Sequence, residues 1–373
     1  MNRRHVLQST NEPPSGRPFG GWINIPRFLA SLILMTASFH DSLGQTKPLL
    51  QWSKLPSIPD AEGFAGSFAG VSGGALIVAG GANIVGDKWA EPLRKKWYDS
   101  IFVLEKPDGE WRAGFHLARA LGYGVSVTTP GGIACIGGSD SEHHYAECFL
   151  IEWRGGRIET TAMPPLPRPC ANMCGVLMGD SIYVAGGIET PTATAAMKTF
   201  WRLDLAGKES RWEELEPWPG PERMLSVAGS VGGSFYVFGG ARLKPGADGK
   251  PVREYLRDAY RYTPGKGWKR VADMPRTAVA APSPALAGGG GRLLIVSGDD
   301  GSKVDFQPVR EHPGFPCDML AYDPERDAWG GAGDAPFSRA TAPVVEWLGR
   351  SVIPNGEVRP RVRTPEVWAA GAK

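Results

Sequence analysis

The sequence predicts an all-β chain folded as a six-bladed propeller, and three observations carry that expectation. An apolar strand, a tight turn and a second apolar strand ending on glycine recur six times after residue 50. The glycines that close the second strands stand at 80, 137, 186, 239, 298 and 356. That period of roughly 50 to 60 residues marks a repeat in which each unit needs its neighbours to bury its faces. In most units a third strand with an aromatic follows, and then a fourth with a Trp: Trp111, Trp212, Trp268 and Trp329. Finally, 50 Gly and 33 Pro among 373 residues, with little helical patterning, suit many short strands joined by turns.

In chain order, residues 1–45 read as an export segment. Arg27 precedes an apolar run from Phe28 to Phe39, and Ser42 and Gly44 supply small residues ahead of a cleavage before Gln45. The run is too short to span a bilayer, so no membrane span is expected in the mature chain, and the protein is expected to be periplasmic or secreted. Residues 46–373 form the propeller. Within each unit the strands are illustrated by Ser67 to Val71 and Leu76 to Ala79, or by Ser226 to Val231 and Phe235 to Phe238. The aromatic third strands include 200–204, 259–262 and 319–323. The stretch Leu50 to Pro56 carries the Trp52 and Leu-Pro of a fourth strand with no strands before it, whereas the unit around Ser351 to Glu357 has no fourth strand of its own. The N-terminal strand is therefore expected to close the last blade, leaving no unpaired edge between the two ends.

Composition narrows the function. With 41 basic against 39 acidic residues the formal charge is +2, which gives no electrostatic footprint for nucleic acid. Five cysteines leave at least one unpaired within a monomer. Cys135 and Cys148 are expected on neighbouring strands, Cys170 and Cys174 are too close for an obvious pair, and buried free thiols are the simplest reading. No spacing suits zinc. Copper, as in a radical oxidase, needs histidine ligands; of the six, His5 and His40 precede the propeller and His143-His144 lie on a short loop. No metal and no cofactor is expected.

The loop into each first strand and the loop after each second strand lie on one face of such a propeller. Arg119, Arg168, Arg223, Arg276 and Arg339 sit before or at first strands, and the loops Ala82 to Ser100, Ala241 to Asp258 and Gly301 to Cys317 are long. Glu357 follows a second strand and joins the same face. Converging guanidinium groups suit an anionic ligand.

The repeat itself is the kelch pattern, four short antiparallel strands with a double glycine after the second. Several stretches further resemble kelch-type sialic acid mutarotases, the N-acetylneuraminate epimerases: Glu62 to Ser72, Ala79-Gly80-Gly81, Tyr123 to Ser126, Pro221-Glu222-Arg223, Phe238-Gly239-Gly240, and Asn355-Gly356-Glu357 followed by Arg363-Thr364. The Glu62 to Ser72 stretch comes first here and late in the enterobacterial type, so the chain resembles the cyclically permuted branch. The resemblance implies an isomerase exchanging anomers of a sialic acid or related anionic sugar. It implies Glu357 as the proton-transfer residue with Arg363 as its partner. Arg119, Arg168, Arg223, Arg276 and Tyr123 are then expected to bind substrate. The alternative is a non-catalytic propeller that grips a carbohydrate or a protein, since the fold alone does not decide.

Overall fold

Each repeat closes into a four-stranded antiparallel sheet, because its second strand is apolar on both sides and needs a neighbouring sheet on each. Ala75–Ala79 and Ser234–Phe238 are buried along their whole length. The outer strands alternate or are largely exposed, as in Arg112–His116. The computed structural model describes residues 49–207, 211–247 and 249–372; the expected export segment lies outside the described residues. Among them, six such sheets follow one another as blades. Blade 1 is built on Phe68–Ser72, blade 2 on Val125–Thr129, blade 3 on Cys174–Met178, blade 4 on Val227–Val231, blade 5 on Leu286–Gly288 and blade 6 on Val345–Trp347. No helix among the described residues is long and apolar enough to cross a membrane.

The last blade is closed as expected. Leu50–Leu55 pairs antiparallel with Val367–Ala372, with Trp52 opposite Ala370 and Lys54 opposite Trp368. The strand supplies the outer edge of a sheet whose other three strands lie some 300 residues later. Trp52 stacks edge-on against Phe337 at 5.0 Å.

Aromatic residues of the second, third and fourth strands fill the wedges between blades. Phe200, Phe235 and Trp268 meet within about 6 Å of one another between blades 3 and 4, and Phe238, Tyr322 and Trp329 do the same between blades 4 and 5. The indole N–H of the fourth-strand Trp then donates to a carbonyl of the segment leaving the preceding blade. Trp111 reaches Pro56 at 2.7 Å, Trp212 reaches Pro164 at 2.9 Å, Trp268 reaches Glu216 at 2.7 Å and Trp329 reaches Ala272 at 2.8 Å. A buried indole needs such a partner, so these tryptophans fix spacing between blades as well as filling it.

Around the axis the blades are joined by a closed ring of backbone hydrogen bonds. The N–H of Tyr123 donates to Gly66, that of Asn172 to Tyr123, of Leu225 to Asn172, of Ala280 to Leu225, of Thr341 to Ala280, and of Gly66 to Thr341, all at 2.7–2.8 Å. All six residues have φ between 51° and 66°. Beside them runs a second set of equivalent contacts, in which the residue before each ring member pairs with the residue after each glycine pair: Ala65 with Ala82, Gly122 with Ser139, Ala171 with Ile188, Met224 with Ala241, Val279 with Asp299, and Ala340 with Glu357.

This geometry shifts the sequence alignment of the last two repeats by one residue. Gly298 and Gly356 correspond to Gly81, and the left-handed position of Gly80 is held by Ser297 (φ 58°) and Asn355 (φ 55°).

All five cysteines are free, with Cys135, Cys148, Cys170 and Cys174 buried and Cys317 exposed. Cys135 and Cys148 do lie on adjacent strands, in staggered register opposite Phe149 and Ile136. Burial pushes the Cys148 thiol up to about 11 and Cys174 to about 12, so neither is a thiolate at neutral pH. A thiol-reactive chromophore should therefore titrate one cysteine of the native chain rapidly and the remaining four only in denaturant; two or more fast thiols before unfolding would contradict this packing.

Candidate functional site

The first residue after each second-strand turn sits beside the backbone ring, and what stands there differs from blade to blade: Ala82, Ser139, Ile188, Ala241, Asp299 and Glu357. Only blades 5 and 6 place a carboxylate. Both line one cavity of about 230 Å³ at this end of the propeller, together with Tyr123, Arg363, Lys95, Arg253 and Phe315. Its floor is the backbone ring, through Asn172, Leu225, Ala280 and Thr341, and the same ring residues open below into the axial channel.

Glu357 begins a short hairpin, Glu357–Arg359 with Val362–Arg363. Register puts Arg363 directly across from Glu357, and its Nη1 donates to Glu357 Oε1 at 3.0 Å. The backbone N–H of Arg361, at the turn with φ 71°, donates to the same oxygen at 2.8 Å. Oε2 takes no hydrogen bond from any described residue. Arg363 is buried, with 5% of its side chain exposed against 17% for Glu357, and its Nε has no partner among the described residues. One carboxylate oxygen is thus fixed by two donors and the other is left for a ligand.

The hairpin is braced on both sides. Arg361 donates through Nη1 to the Lys88 carbonyl at 3.1 Å and pairs with Glu91 at 2.7 Å, in the long loop of blade 1. Arg359 Nη1 donates to the Arg310 carbonyl at 2.6 Å, in the long loop of blade 5. Below it, Gly356 has φ 100°, and a Cβ there would lie 2.6 Å from the Arg339 side chain. The Glu62-Gly63-Phe64 stretch packs against Thr364: a Cβ on Gly63 would sit 2.1 Å from the Thr364 carbonyl oxygen. The stretches singled out in the sequence at opposite ends of the chain are therefore neighbours in space.

Asp299 is the second carboxylate. Tyr255 donates its hydroxyl to Asp299 Oδ2 at 2.7 Å, and the Gly301 N–H donates to Oδ1 at 2.9 Å. Burial, together with this carboxylate, raises the Tyr255 phenol well above its ordinary value, so it remains a donor.

Three of the seven expected site residues, Glu357, Arg363 and Tyr123, come together in the cavity. The four arginines do not line it, which corrects the reading that they converge on a ligand. Arg223 is fully buried. It donates to the Gly239 carbonyl at 3.0 Å and pairs with Asp258 at 2.7 Å. Arg276 repeats this in blade 5, holding the Ser297 carbonyl at 3.1 Å and Asp318 at 2.9 Å. Arg339 does so in blade 6, donating to the Asn355 carbonyl with Glu366 at 3.8 Å. Burial lowers it to about 10, which still leaves it charged at neutral pH. Each of the three clasps the left-handed turn of its own blade to the start of the third strand. Arg168 lies on the surface with Glu189 at 3.6 Å. Arg119 pairs with Glu147 at 3.2 Å and lines an adjoining cleft with Lys95, Lys96 and Trp97.

Sequence reasoning missed Lys95, Arg253, Asp299 and Tyr255. The signal was present. The two long loops after the glycines of blades 1 and 4 each carry a cation, one intervening residue and an aromatic, Lys95-Lys96-Trp97 and Arg253-Glu254-Tyr255, and Asp299 directly follows Gly298 as Glu357 follows Gly356.

Among the described residues no group of three or more His, Cys, Asp or Glu side chains is placed to hold a metal.

A family model described as N-acetylneuraminate epimerase matches residues 34–160 and 163–307. The chain is 31% identical over 226 residues to the N-acetylneuraminate epimerase of Haemophilus influenzae (strain PittEE), covering 54% of this chain and 57% of that protein. It is 30% identical over 229 residues to that of Pasteurella multocida (strain Pm70), with the same coverage. The chain thus spans little more than half the length of these curated relatives, and Glu357 and Arg363 lie beyond the residues the family model matches. The solved structure of YjhT superposes with a TM-score of 0.61 at 14% identity, over 83% of this chain and 95% of that one, and so shares the fold.

If the buried arginines clasp blades, Arg223→Ala should cost about 3–5 kcal/mol of stability, because it strands Asp258 without its partner. It should lower the melting temperature while leaving ligand affinity at the cavity unchanged, measured by calorimetry below the melting transition; lost affinity with unchanged stability would return Arg223 to the site.

Proposed function

The chain belongs to the N-acetylneuraminate epimerase family, and we propose that it interconverts the anomers of a sialic acid or a related anionic sugar, with Glu357 as the proton-transfer residue. The observation that carries this reading is the Glu357 carboxylate at the cavity wall, fixed through Oε1 by Arg363 and the Arg361 N–H, with Oε2 taking no hydrogen bond from a described residue.

Exchanging anomers of a cyclic hemiketal requires loss of the proton of the anomeric hydroxyl and delivery of a proton to the ring oxygen. The ring C–O bond breaks, the anomeric carbon becomes a carbonyl, that end rotates, and the ring closes on the other face. No electrons are exchanged with an external acceptor. Glu357 Oε2 takes the hydroxyl proton and, through a water, returns one to the ring oxygen; the reverse transfers accompany closure. Arg363 holds the carboxylate in one orientation throughout, since a charge-assisted hydrogen bond from a buried guanidinium is strong and directional. A cavity of about 230 Å³ lies below the usual range of ligand pockets, about 300–1,000 Å³, and suits one sugar ring better than a chain. We also propose that the chain is exported, on the strength of Arg27 and the Phe28 to Phe39 run; an intact N-terminus on cytoplasmic protein, by mass spectrometry, would argue against it.

The direct test is proton NMR of freshly dissolved α-anomer of N-acetylneuraminate, with and without protein. Acceleration over the spontaneous rate is expected, whereas a propeller that merely binds sugar would leave the rate at its solution value. Glu357→Gln preserves shape but cannot accept the proton, and a general acid–base contributes about 10²–10⁴-fold, so it should remove most of the acceleration while sugar still binds. A Glu357→Gln protein as fast as wild type ends the assignment.

Arg363→Lys keeps the charge and loses the planar fork that reaches Glu357. Loss of a hydrogen bond to a charged group costs about 1.5–3 kcal/mol, so kcat/KM should fall roughly tenfold to a hundredfold. A wild-type pH–rate profile and rate in this variant would show that Arg363 does not orient the carboxylate.

A further inference from the structure

Blades 1 and 4 carry the same device on opposite sides of the axis. Each extends past its glycine pair as a two-stranded hairpin, Ala82–Val85 with Arg94–Trp97 and Ala241–Pro245 with Pro251–Tyr255. The two hairpins share one register: Ala82 faces Trp97 and Ile84 faces Lys95, just as Ala241 faces Tyr255 and Leu243 faces Arg253. Since side chains two apart on a strand share a face, each hairpin presents a cation and an aromatic together. In the ring order of hydrogen bonds the two blades are three steps apart out of six, so Lys95 and Arg253 approach the same cavity from opposite walls.

Their charges are unneutralised. The ammonium of Lys95 lies 3.9 Å from the Tyr123 ring centroid and 4.6 Å from that of Trp97. Those contacts position it over the cavity without cancelling it. The Arg253 side chain makes no hydrogen bond or ion pair with any described residue. By contrast, Arg363 is matched by Glu357, and Arg223, Arg276 and Arg339 are matched inside their own blades. With the Glu357–Arg363 pair neutral, two cations face the single carboxylate of Asp299.

We propose that Lys95 and Arg253 form a two-sided clamp that selects a carboxylate-bearing sugar, and that this pair, rather than the arginines of the first-strand loops, determines the enzyme's preference for anionic substrates. The proposal rests on the reading of this cavity as a sugar site. It does not rest on Glu357 being the proton-transfer group. Because both cations are solvent-exposed, the attraction is screened by salt over a Debye length of about 8 Å at physiological ionic strength, so affinity for the acid falls as salt rises.

The test measures binding by isothermal titration calorimetry. The ligands are N-acetylneuraminate and its methyl ester, and glucuronate and galacturonate against glucose and galactose. Wild type should bind at least one acid ten times or more tighter than its neutral counterpart. Lys95→Ala/Arg253→Ala should bring acid affinity to within about threefold of the neutral partner, and leave the neutral partner's own affinity within threefold of wild type. Lys95→Gln/Arg253→Gln, which keeps side-chain length, should do the same, and a melting curve within a few degrees of wild type confirms that either variant is folded. Wild type that binds no acid in preference to its neutral partner overturns the clamp, as does a folded double variant that keeps the preference. If the preference vanishes in the double variant while Glu357→Gln still accelerates anomer exchange, the clamp stands and the proton-transfer assignment falls.

Discussion

The closed ring of six backbone hydrogen bonds around the axis is the constraint on which the remaining structure depends. Each bond runs from one blade's first-strand entrance to the next, and the last returns to the first. For the ring to close, six residues must take left-handed backbone angles, a conformation that costs an ordinary side chain on the order of 1 kcal/mol or more. Only the blade 1 member, Gly66, takes it without that cost. The others, Tyr123, Asn172, Leu225, Ala280 and Thr341, are held there by the bond on either side. Since a residue forced into such a conformation persists only where its surroundings over-determine it, the ring is held by the packing of all six blades at once. The N-terminal strand in blade 6 is therefore more than an edge cover: Phe64, which follows it, accepts the Gly356 N–H at 2.8 Å and joins the two ends of the chain beside the ring.

This closure explains where the arginines went. A left-handed turn presents its carbonyl inward, away from any strand partner, and a buried carbonyl needs a donor. Arg223, Arg276 and Arg339 supply it to Gly239, Ser297 and Asn355, and each charge is answered by an acid at the start of the third strand. In the sequence these residues are arginines on the loops of one face, and that is where the structure puts their backbones. The side chains run inward, along the blade. Loop position and charge were legible; direction was not, because the acids that attract them lie 27 to 42 residues away in a strand start that has no mark of its own in the sequence.

The fold was legible to a greater degree than the site. Glycine pairs, the fourth-strand tryptophans and the orphan Trp52 strand together specified blade number and closure, since each is dictated by backbone angle or by packing between sheets and so recurs in every unit. Even there, Ser297 and Asn355 disguised the repeat by one residue, because Asn and, less readily, Ser tolerate the left-handed region that glycine normally fills. Glu357 and Arg363 were legible by resemblance, through the Asn-Gly-Glu…Arg-Thr stretch, and by the position of Glu357 just after a second strand. Lys95, Arg253 and Tyr255 were less so, because they reach the cavity from insertions whose length hides their register, whereas Asp299 directly follows its glycine as Glu357 does.

A propeller of equivalent blades produces an axis but no chemistry, and the position after each glycine pair is where the equivalence is broken. Four blades place Ala82, Ser139, Ile188 and Ala241 there; blades 5 and 6 place Asp299 and Glu357. The two blades with alanine, 1 and 4, are those that extend the strand into a long hairpin and carry a cation inward at its return. The small residue follows from that geometry: directly across from it stands Trp97 in one hairpin and Tyr255 in the other, and Ala82 and Ala241 are both fully buried, so a larger side chain would displace the aromatic. Blade 6 inverts the arrangement, with the Glu357 carboxylate in the alanine's place and Arg363 in the aromatic's. The opening pair of each hairpin thus yields either an alanine under an aromatic or a carboxylate held by a guanidinium, and the cavity gathers both kinds around one ring.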